Sequence, residues 1–371
     1  MTRSFTPPAR VLLGPGPSDV PARVLLAMAR PTIGHLDPAF IAMMEEVKAL
    51  LQYAFQTRNG ATFPISAPGS AGMEACLANL VEPGEVVVVC RNGVFGGRMG
   101  DLVGRLGGVP VFVDSPFGEA VDPDQVASAL KAHKDARLVA CVHAETSTGV
   151  LSDVRAIAQV AHAHGALVAV DAVTALGGVP LAVDEWELDA VYAGTQKCLS
   201  CPPGLAPLTF NERALAKVRA RSHKTASWFL DLNLLMGYWG AGGRTYHHTA
   251  PINMLYALHE ALVMLEEEGL EASWARHRVM HERFVAGIEA LGLDMAVAPA
   301  IRLPQLNSVS VPSGVDEARV RRRLLEEWGI EIGAGLGELA GRVWRIGLMG
   351  AGSNVRNVNL CLDALRAALA G

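Results

Sequence analysis

Between residues 60 and 210 the chain repeats one pattern, in which short, nearly unbroken apolar runs alternate with amphipathic or small-residue stretches. The runs are EVVVVC (85–90), VPVFVDS (109–115), RLVACVHAE (137–145), ALVAVDAV (166–173), DAVYAG (189–194) and APLTF (206–210). Continuous apolarity, rather than strict alternation, marks strands covered on both faces. Helices between them make the strands parallel. One such helix is legible in detail: Asp153 is placed to cap it, Val154, Ile157, Ala158 and Ala161 form its apolar stripe, and Gly165 ends it.

Past residue 250 the texture changes. INMLYALHEALVMLEEEGLEASWARHRVMHERFVAGIEALG reads as one or two long amphipathic helices. After it come SVSVPSG, the helix DEARVRRRLLEEWG, the strand RVWRIGLMG and a last helix, SNVRNVNLCLDALRAAL. The expected division of the 371 residues is an N-terminal arm (1–20), a large domain (21–268) and a small C-terminal α/β domain (269–371). The basic cluster RVRRR falls in a helix where Arg322 and Arg323 stand one turn before Glu326 and Glu327, so it reads as a self-paired solvated face.

Composition removes whole classes of partner. Half of the residues are hydrophobic and 19% are charged, enough for a large core and too apolar for a disordered chain. A formal net charge of −5 offers no basic footprint to nucleic acid or a membrane surface. No apolar run approaches the roughly 20 residues of a membrane span. The opening MTRSFTPPARVLLGPGPS lacks the apolar stretch of a signal peptide, and AALAG at the end carries no peroxisomal tripeptide. Six scattered cysteines make no disulfide framework. The expectation is a cytoplasmic protein with reduced thiols.

Several stretches carry chemistry. In SAPGSAGMEACLANL, Pro68 and Gly69 break the chain, and Ser70 and Ala71 open a helix whose N-terminal N–H groups and dipole suit a phosphate. An ordinary helix cap has the same appearance. Asp171, in LVAVDAV, ends an apolar parallel strand, where open α/β sheets bind ligands; a buried acid satisfied by backbone or by Thr174 is the plainer alternative. Lys197 follows in the small-residue loop AGTQKCLSCPPG. A buried carboxylate can keep a pyridine nitrogen protonated while a lysine holds an aldehyde as an imine, so phosphate loop, Asp and Lys together suit pyridoxal phosphate. Arg345 is a lone cation in the apolar strand RVWRIGLMG and needs an internal acid or a substrate carboxylate for its planar fork.

The lysine loop also contains a rival. HAE (143–145) with Cys198 and Cys201 resembles the zinc-deaminase arrangement H-x-E…P-C-x-x-C, which would use Glu145. Lys197 stands where the proline belongs, Pro202 and Pro203 follow the pair, and no third cysteine or histidine lies close at ligand spacing. A redox C-x-x-C that opens a helix fits no better. Cys198 and Cys201 therefore read as small packing residues. In TYHHTAP (245–251) adjacent histidines point to opposite sides, and the hydroxyls of Tyr246 and Thr249 suit a phosphate better than a metal. No metal site is expected.

Taken in order, LLGPGPS (12–18), FQTRN (55–59), GSAGMEA (69–75), NGVFGGR (92–98), ETSTGV (145–150), VDAVTALGG (170–178), TQKCLSCPPG (195–204), YHHTAP (246–251) and RIGL (345–348) give the chain a family likeness. It resembles the class V pyridoxal-phosphate aminotransferases, within them the alanine–glyoxylate, serine–glyoxylate and serine–pyruvate group. The resemblance implies the fold type I α/β architecture: a seven-stranded, mostly parallel sheet with helices on both faces, a smaller C-terminal domain, and a homodimer with shared active sites.

Position by position, the resemblance makes Lys197 the Schiff-base lysine and Asp171 the partner of the pyridine nitrogen. Phe95 would stack on the cofactor, Thr146 would bond near its phenolic oxygen, and Val173 would pack under its ring. Gly69, Ser70, Ala71 and Gln196 would hold the phosphate, with Tyr246 and Thr249 reaching it from the second subunit. Arg345 would clamp the substrate carboxylate, and His35, in GHLDPAF, would touch substrate near the partner's site. Some members carry histidine where Ser70 stands, and tryptophan often stands where Phe95 does. The implied reaction is ping-pong transamination between serine or alanine and glyoxylate or pyruvate. Ureidoglycine–glyoxylate aminotransferases share these motifs. A cysteine desulfurase of the same fold would need a reactive cysteine on a mobile loop, whereas Cys361 lies in a helical stripe.

Overall fold

The computed structural model describes residues 3–240 and 244–370. Its centre is a sheet of seven strands: β1 (Ala61–Ile65), β2 (Val86–Arg91), β3 (Val109–Asp114), β4 (Leu138–Val142), β5 (Leu167–Asp171), β6 (Ala190–Tyr192) and β7 (Ala206–Phe210). They lie in the order β1-β7-β6-β5-β4-β2-β3. β3, β2, β4, β5 and β6 pair in parallel, while β7 runs antiparallel to both neighbours. All five residues of β4 are buried, as a strand covered on both faces requires. The mostly parallel seven-stranded sheet is the one expected.

Two details depart from the sequence reading. β1 has no counterpart among the apolar runs, and Pro64 interrupts its own. A proline removes a ladder donor and is tolerated at an edge, which is where β1 lies. The reversed direction of β7, whose Pro207 stands opposite Pro64 in the ladder, has no local signature in APLTF.

Helices cover the sheet: α1 (Pro38–Phe55), α2 (Gly69–Leu80), α3 (Val94–Arg105), α4 (Pro123–Ala132) and α5 (Val154–Ala163). α5 forms as its sequence dictates. The Asp153 carboxylate accepts from the Ala156 N–H at 3.0 Å, and Val154, Ile157, Ala158 and Ala161 are buried. Gly165 supplies the left-handed turn, with φ of 74°.

The long amphipathic stretch is two helices, α6 (Ile252–Glu268) and α7 (Leu270–Ala290), broken at Gly269 with φ of 84°. Beyond them β8 (Leu306–Ser310), β9 (Gly333–Ala334) and β10 (Val343–Gly347) form an antiparallel sheet ordered β8-β10-β9. α8 (Glu317–Trp328) and α9 (Val355–Leu369) belong to the same region, whose own core includes Phe284, Ile288, Trp344 and Leu365. On α8, Arg323 pairs with Glu327 at 2.8 Å, and Arg321 pairs with Glu317 at 2.5 Å.

The N-terminal arm joins the two regions. Val11 and Leu12 pair in parallel with Ile330 and Glu331, and the Gly347 N–H donates to the Leu13 carbonyl at 2.8 Å. A few residues on, the Ser18 N–H donates to the Gln196 carbonyl at 2.9 Å, and its hydroxyl to the Lys197 carbonyl at 2.7 Å. The arm thus runs from the strand that carries Arg345 to the loop that carries Lys197.

Candidate active site

Asp171 is the last residue of β5, so its side chain emerges at the carboxyl end of a parallel strand. There the loops after β5 and β6 and the starts of α2 and α3 enclose a cavity of about 220 Å³. Gly69, Ser70, Phe95, Thr146, Asp171, Val173, Gln196 and Lys197 all line it. These eight of the residues singled out in the sequence are brought together.

Asp171 is buried, and its carboxylate accepts from the Val173 N–H and from the Tyr192 hydroxyl, each at 2.8 Å. Burial pushes its pKa up to about 6, against the pull of those two hydrogen bonds and of the Lys197 and Arg98 charges. Lys197, 9% exposed, shifts the opposite way for the same reason, its ammonium pKa falling to about 8. Its Nζ donates to the Pro15 carbonyl of the arm. Thr146 shares a hydrogen bond of 2.5 Å with Thr174.

Phe95 reaches the cavity because α3 begins beside it. The residue preceding α3, Gly93, offers no side-chain cap, and the helix is capped instead from the loop after β4. The Val94 N–H donates to the Ser147 hydroxyl at 2.9 Å, and the Gly96 N–H to the Glu145 carboxylate at 3.3 Å. Ser147 in turn donates to Glu145 through its N–H at 3.0 Å and its hydroxyl at 2.6 Å. Glu145 is wholly buried, and burial raises its pKa to about 6.

Arg345 occupies the middle of β10 and is 6% exposed. Its Nη1 donates to the Thr146 carbonyl at 3.0 Å and its Nε to the Ala334 carbonyl at 2.7 Å. Among the described residues no carboxylate lies within ion-pair distance of it. Burial lowers its pKa to about 10, with the Glu145 charge opposing. Arg345 therefore stands against the cavity wall formed by Thr146.

The other expected positions lie apart from this cavity. Ala71 directs its N–H to the Pro68 carbonyl at 2.7 Å, within the turn that starts α2. Tyr246, 63% exposed, packs its ring 5.4 Å from that of His35, and Thr249 is exposed as well. This segment is tied to the loop before α2 by His248, which shares a hydrogen bond of 2.7 Å with Ser66.

Cys198 and Cys201 are buried, and burial pushes both thiols up to about 12. Among the described residues no three His, Cys, Asp or Glu side chains are grouped to hold a metal ion, so Glu145, Cys198 and Cys201 form no such group. Cys361 is buried within α9.

Arg98, also in the cavity lining, was missed from the sequence although NGVFGGR contains it. The available signal was its spacing of three from Phe95, which puts both on one helix face.

The residues present fit pyridoxal phosphate. The Gln196 Oε1 is buried and has no hydrogen-bond partner. Two glycines shape the wall: a Cβ at Gly194 would come within 3.0 Å of that same oxygen, and one at Gly69 within 3.3 Å of Val173. An amine and a buried carboxylate share the cavity beside them.

Comparison with known proteins agrees. The family model Aminotransferase class-V matches residues 11–343. An alanine–glyoxylate aminotransferase of Callithrix jacchus is 41% identical over 366 residues, covering 98% of this chain and 88% of its own. A (S)-ureidoglycine–glyoxylate transaminase of Bacillus subtilis (strain 168) is 38% identical over 385 residues, covering 99% and 92%. A crystal structure of an alanine–glyoxylate aminotransferase from Nostoc sp. superposes with a TM-score of 0.98 at 46% identity, covering 100% of this chain and 97% of the other. The chain belongs to the class V aminotransferases, which work with pyridoxal phosphate.

Proposed function

We propose that the protein moves the amino group of alanine or serine to glyoxylate or pyruvate in two half-reactions at one site. The observation that carries this reading is Arg345, a buried guanidinium that has only backbone carbonyls as partners among the described residues. Its planar fork suits a carboxylate, which every amino acid and 2-oxo acid presents. Small substrates, with glyoxylate as acceptor, follow from the similarity to alanine–glyoxylate aminotransferases. The comparable identity to the ureidoglycine–glyoxylate transaminase supports a second reading with the same acceptor and another donor.

In this reading Gly69, Ser70 and Gln196 would hold the cofactor phosphate, Asp171 its ring nitrogen, Phe95 and Val173 its ring, and Thr146 its phenolic oxygen. The bound cofactor supplies an electron sink for the bond broken at the substrate α-carbon. Lys197 takes the proton from the substrate α-carbon and returns it to the carbon on the far side of the substrate nitrogen, a task suited to an amine whose pKa burial has brought to about 8. Asp171 supplies a fixed negative charge, and Arg345 sets the substrate's orientation through its carboxylate. The test is Lys197→Ala, which should abolish turnover; retained turnover with cofactor loaded overturns the mechanism. In the unaltered enzyme, L-alanine or L-serine without acceptor should bleach the visible cofactor band, the faster donor naming the substrate. A faster response to ureidoglycine than to either establishes the second reading.

A homodimer belongs to the same proposal. Tyr246, 63% exposed, stands with Thr249 on one outer segment, and the equally exposed Trp228 stacks on that segment's His247 at 4.5 Å. A second copy would cover these rings and receive Tyr246, Thr249 and His35 at its own site. No described helix is long and apolar enough to cross a membrane. Six buried, unpaired cysteines support a reducing compartment, the cytoplasm. The helix break at Gly269 and the separate C-terminal core support reading residues 1–20, 21–268 and 269–371 as arm, large domain and small domain.

A further inference from the structure

Arg98 has no part in the reading above, yet it lines the same cavity as Ser70, Gln196 and Lys197. It stands one turn past Phe95 on α3, its guanidinium carbon 5.1 Å from that ring's centroid. Its Nη1 donates to the Ser70 hydroxyl at 3.2 Å. The arginines on either side of it in sequence are engaged elsewhere, Arg91 with Asp114 and Arg105 with Asp101. Arg98 has no carboxylate within ion-pair distance among the described residues.

Charge balance gives this cation a task. A phosphate monoester carries close to two negative charges at neutral pH. Gly69, Ser70 and Gln196 are neutral, and the start of α2 contributes only about half a positive charge. Lys197 would be taken up by the cofactor's aldehyde, and Arg345 is anchored on Thr146. Of the described side chains lining the cavity, Arg98 is the one remaining cation.

We propose that Arg98 is a cofactor-binding residue: its guanidinium, steadied by the Ser70 hydroxyl and the Phe95 ring, supplies the counter-charge for the phosphate. The inference rests on the pyridoxal-phosphate reading of the site and goes beyond it in assigning the anion's principal ionic partner. Cofactor-free protein, Arg98→Gln and Arg98→Lys would be titrated with pyridoxal phosphate and, separately, with pyridoxal, following tryptophan fluorescence and absorbance.

Arg98→Gln should weaken pyridoxal phosphate about 10- to 100-fold, as loss of a charge-assisted bond does, and change pyridoxal binding less than about twofold. Inorganic phosphate, which should slow cofactor loading of the unaltered protein, should lose most of that effect in Arg98→Gln. Arg98→Lys should recover part of the affinity by restoring the charge without the fork. Equal weakening of both aldehydes would overturn the proposal, since it reports a disturbed cavity and no phosphate contact. Undiminished pyridoxal phosphate affinity would overturn it, as would a raised KM for alanine with cofactor affinity intact, which assigns Arg98 to the substrate. Failure of the unaltered protein to bind pyridoxal phosphate would sink the underlying reading, a distinct result.

Discussion

Asp171 and Lys197 are displaced in opposite directions by the same burial, and each shift has a measurable sign. The Asp171 carboxyl rises from 3.8 to about 6, so between those values the native protein keeps a proton that the unfolded chain has lost. Its contribution to stability is therefore present at low pH and lost as pH rises through about 6. Asp171→Asn should melt higher than the cofactor-free parent above pH 6, by on the order of 2 kcal/mol, and equally near pH 4. Urea melts at the two pH values check this, and equal stability at both would mean that the bonds from Tyr192 and Val173 offset the burial cost in full. The Lys197 amine is lowered from 10.5 to about 8 and becomes a nucleophile as it loses its proton. The rate at which cofactor-free protein captures pyridoxal phosphate should climb with pH and level off just above 8. Stopped-flow absorbance gives that profile, and a rise continuing past 10 would contradict it.

At the scale of elements, the cap on α3 shows which parts of this chain can be read from sequence. The apolar runs announced β2 and β4 to β7 because burial on both faces forbids polar alternation, the edge strand β3 being apolar though partly exposed, and α5 announced its own cap because Asp153 immediately precedes it. The α3 cap comes from Glu145 and Ser147, about fifty residues away, and no local pattern around Gly93 reports it. β1 was hidden by Pro64 and the direction of β7 by the lack of any local code for strand polarity. Asp171 and Lys197 were legible because strand ends and small-residue loops of a parallel sheet converge on one edge; Arg98 was not, since it is an exposed, helix-borne arginine whose burial gives no signal. Glu145→Ala should destabilise the protein by about 2–4 kcal/mol by leaving the Gly96 and Ser147 donors buried without an acceptor. Glu145→Gln, which keeps one acceptor oxygen, should cost about 1 kcal/mol. Thermal melts of both variants separate the cases, and equal losses would mean that the charge matters more than the oxygens.

At the scale of the whole molecule, the proposed homodimer with shared sites makes a prediction that no single-chain property can imitate. Lys197→Ala and Tyr246→Ala chains should each assemble into poorly active dimers. Refolding the two together should restore activity, because a mixed dimer combines both lesions in one site and leaves the other intact. Random pairing gives about half mixed dimers, hence about a quarter of the parent activity. Activity no greater than the mean of the two pure variants would show that each site belongs to one chain.

The arm has a consequence in time as well as in space. Val11 and Leu12 are synthesised long before their ladder partners, Ile330 and Glu331. At ribosomal rates of about 5–20 residues per second, the arm waits roughly 15 seconds to a minute for its place. A nascent chain stopped short of residue 330 can hold Asp171, Lys197 and the sheet between them, but its arm has nothing to pair with. Translation products stopped before residue 330 lack both the arm's partner strand and Arg345, and should therefore be inert.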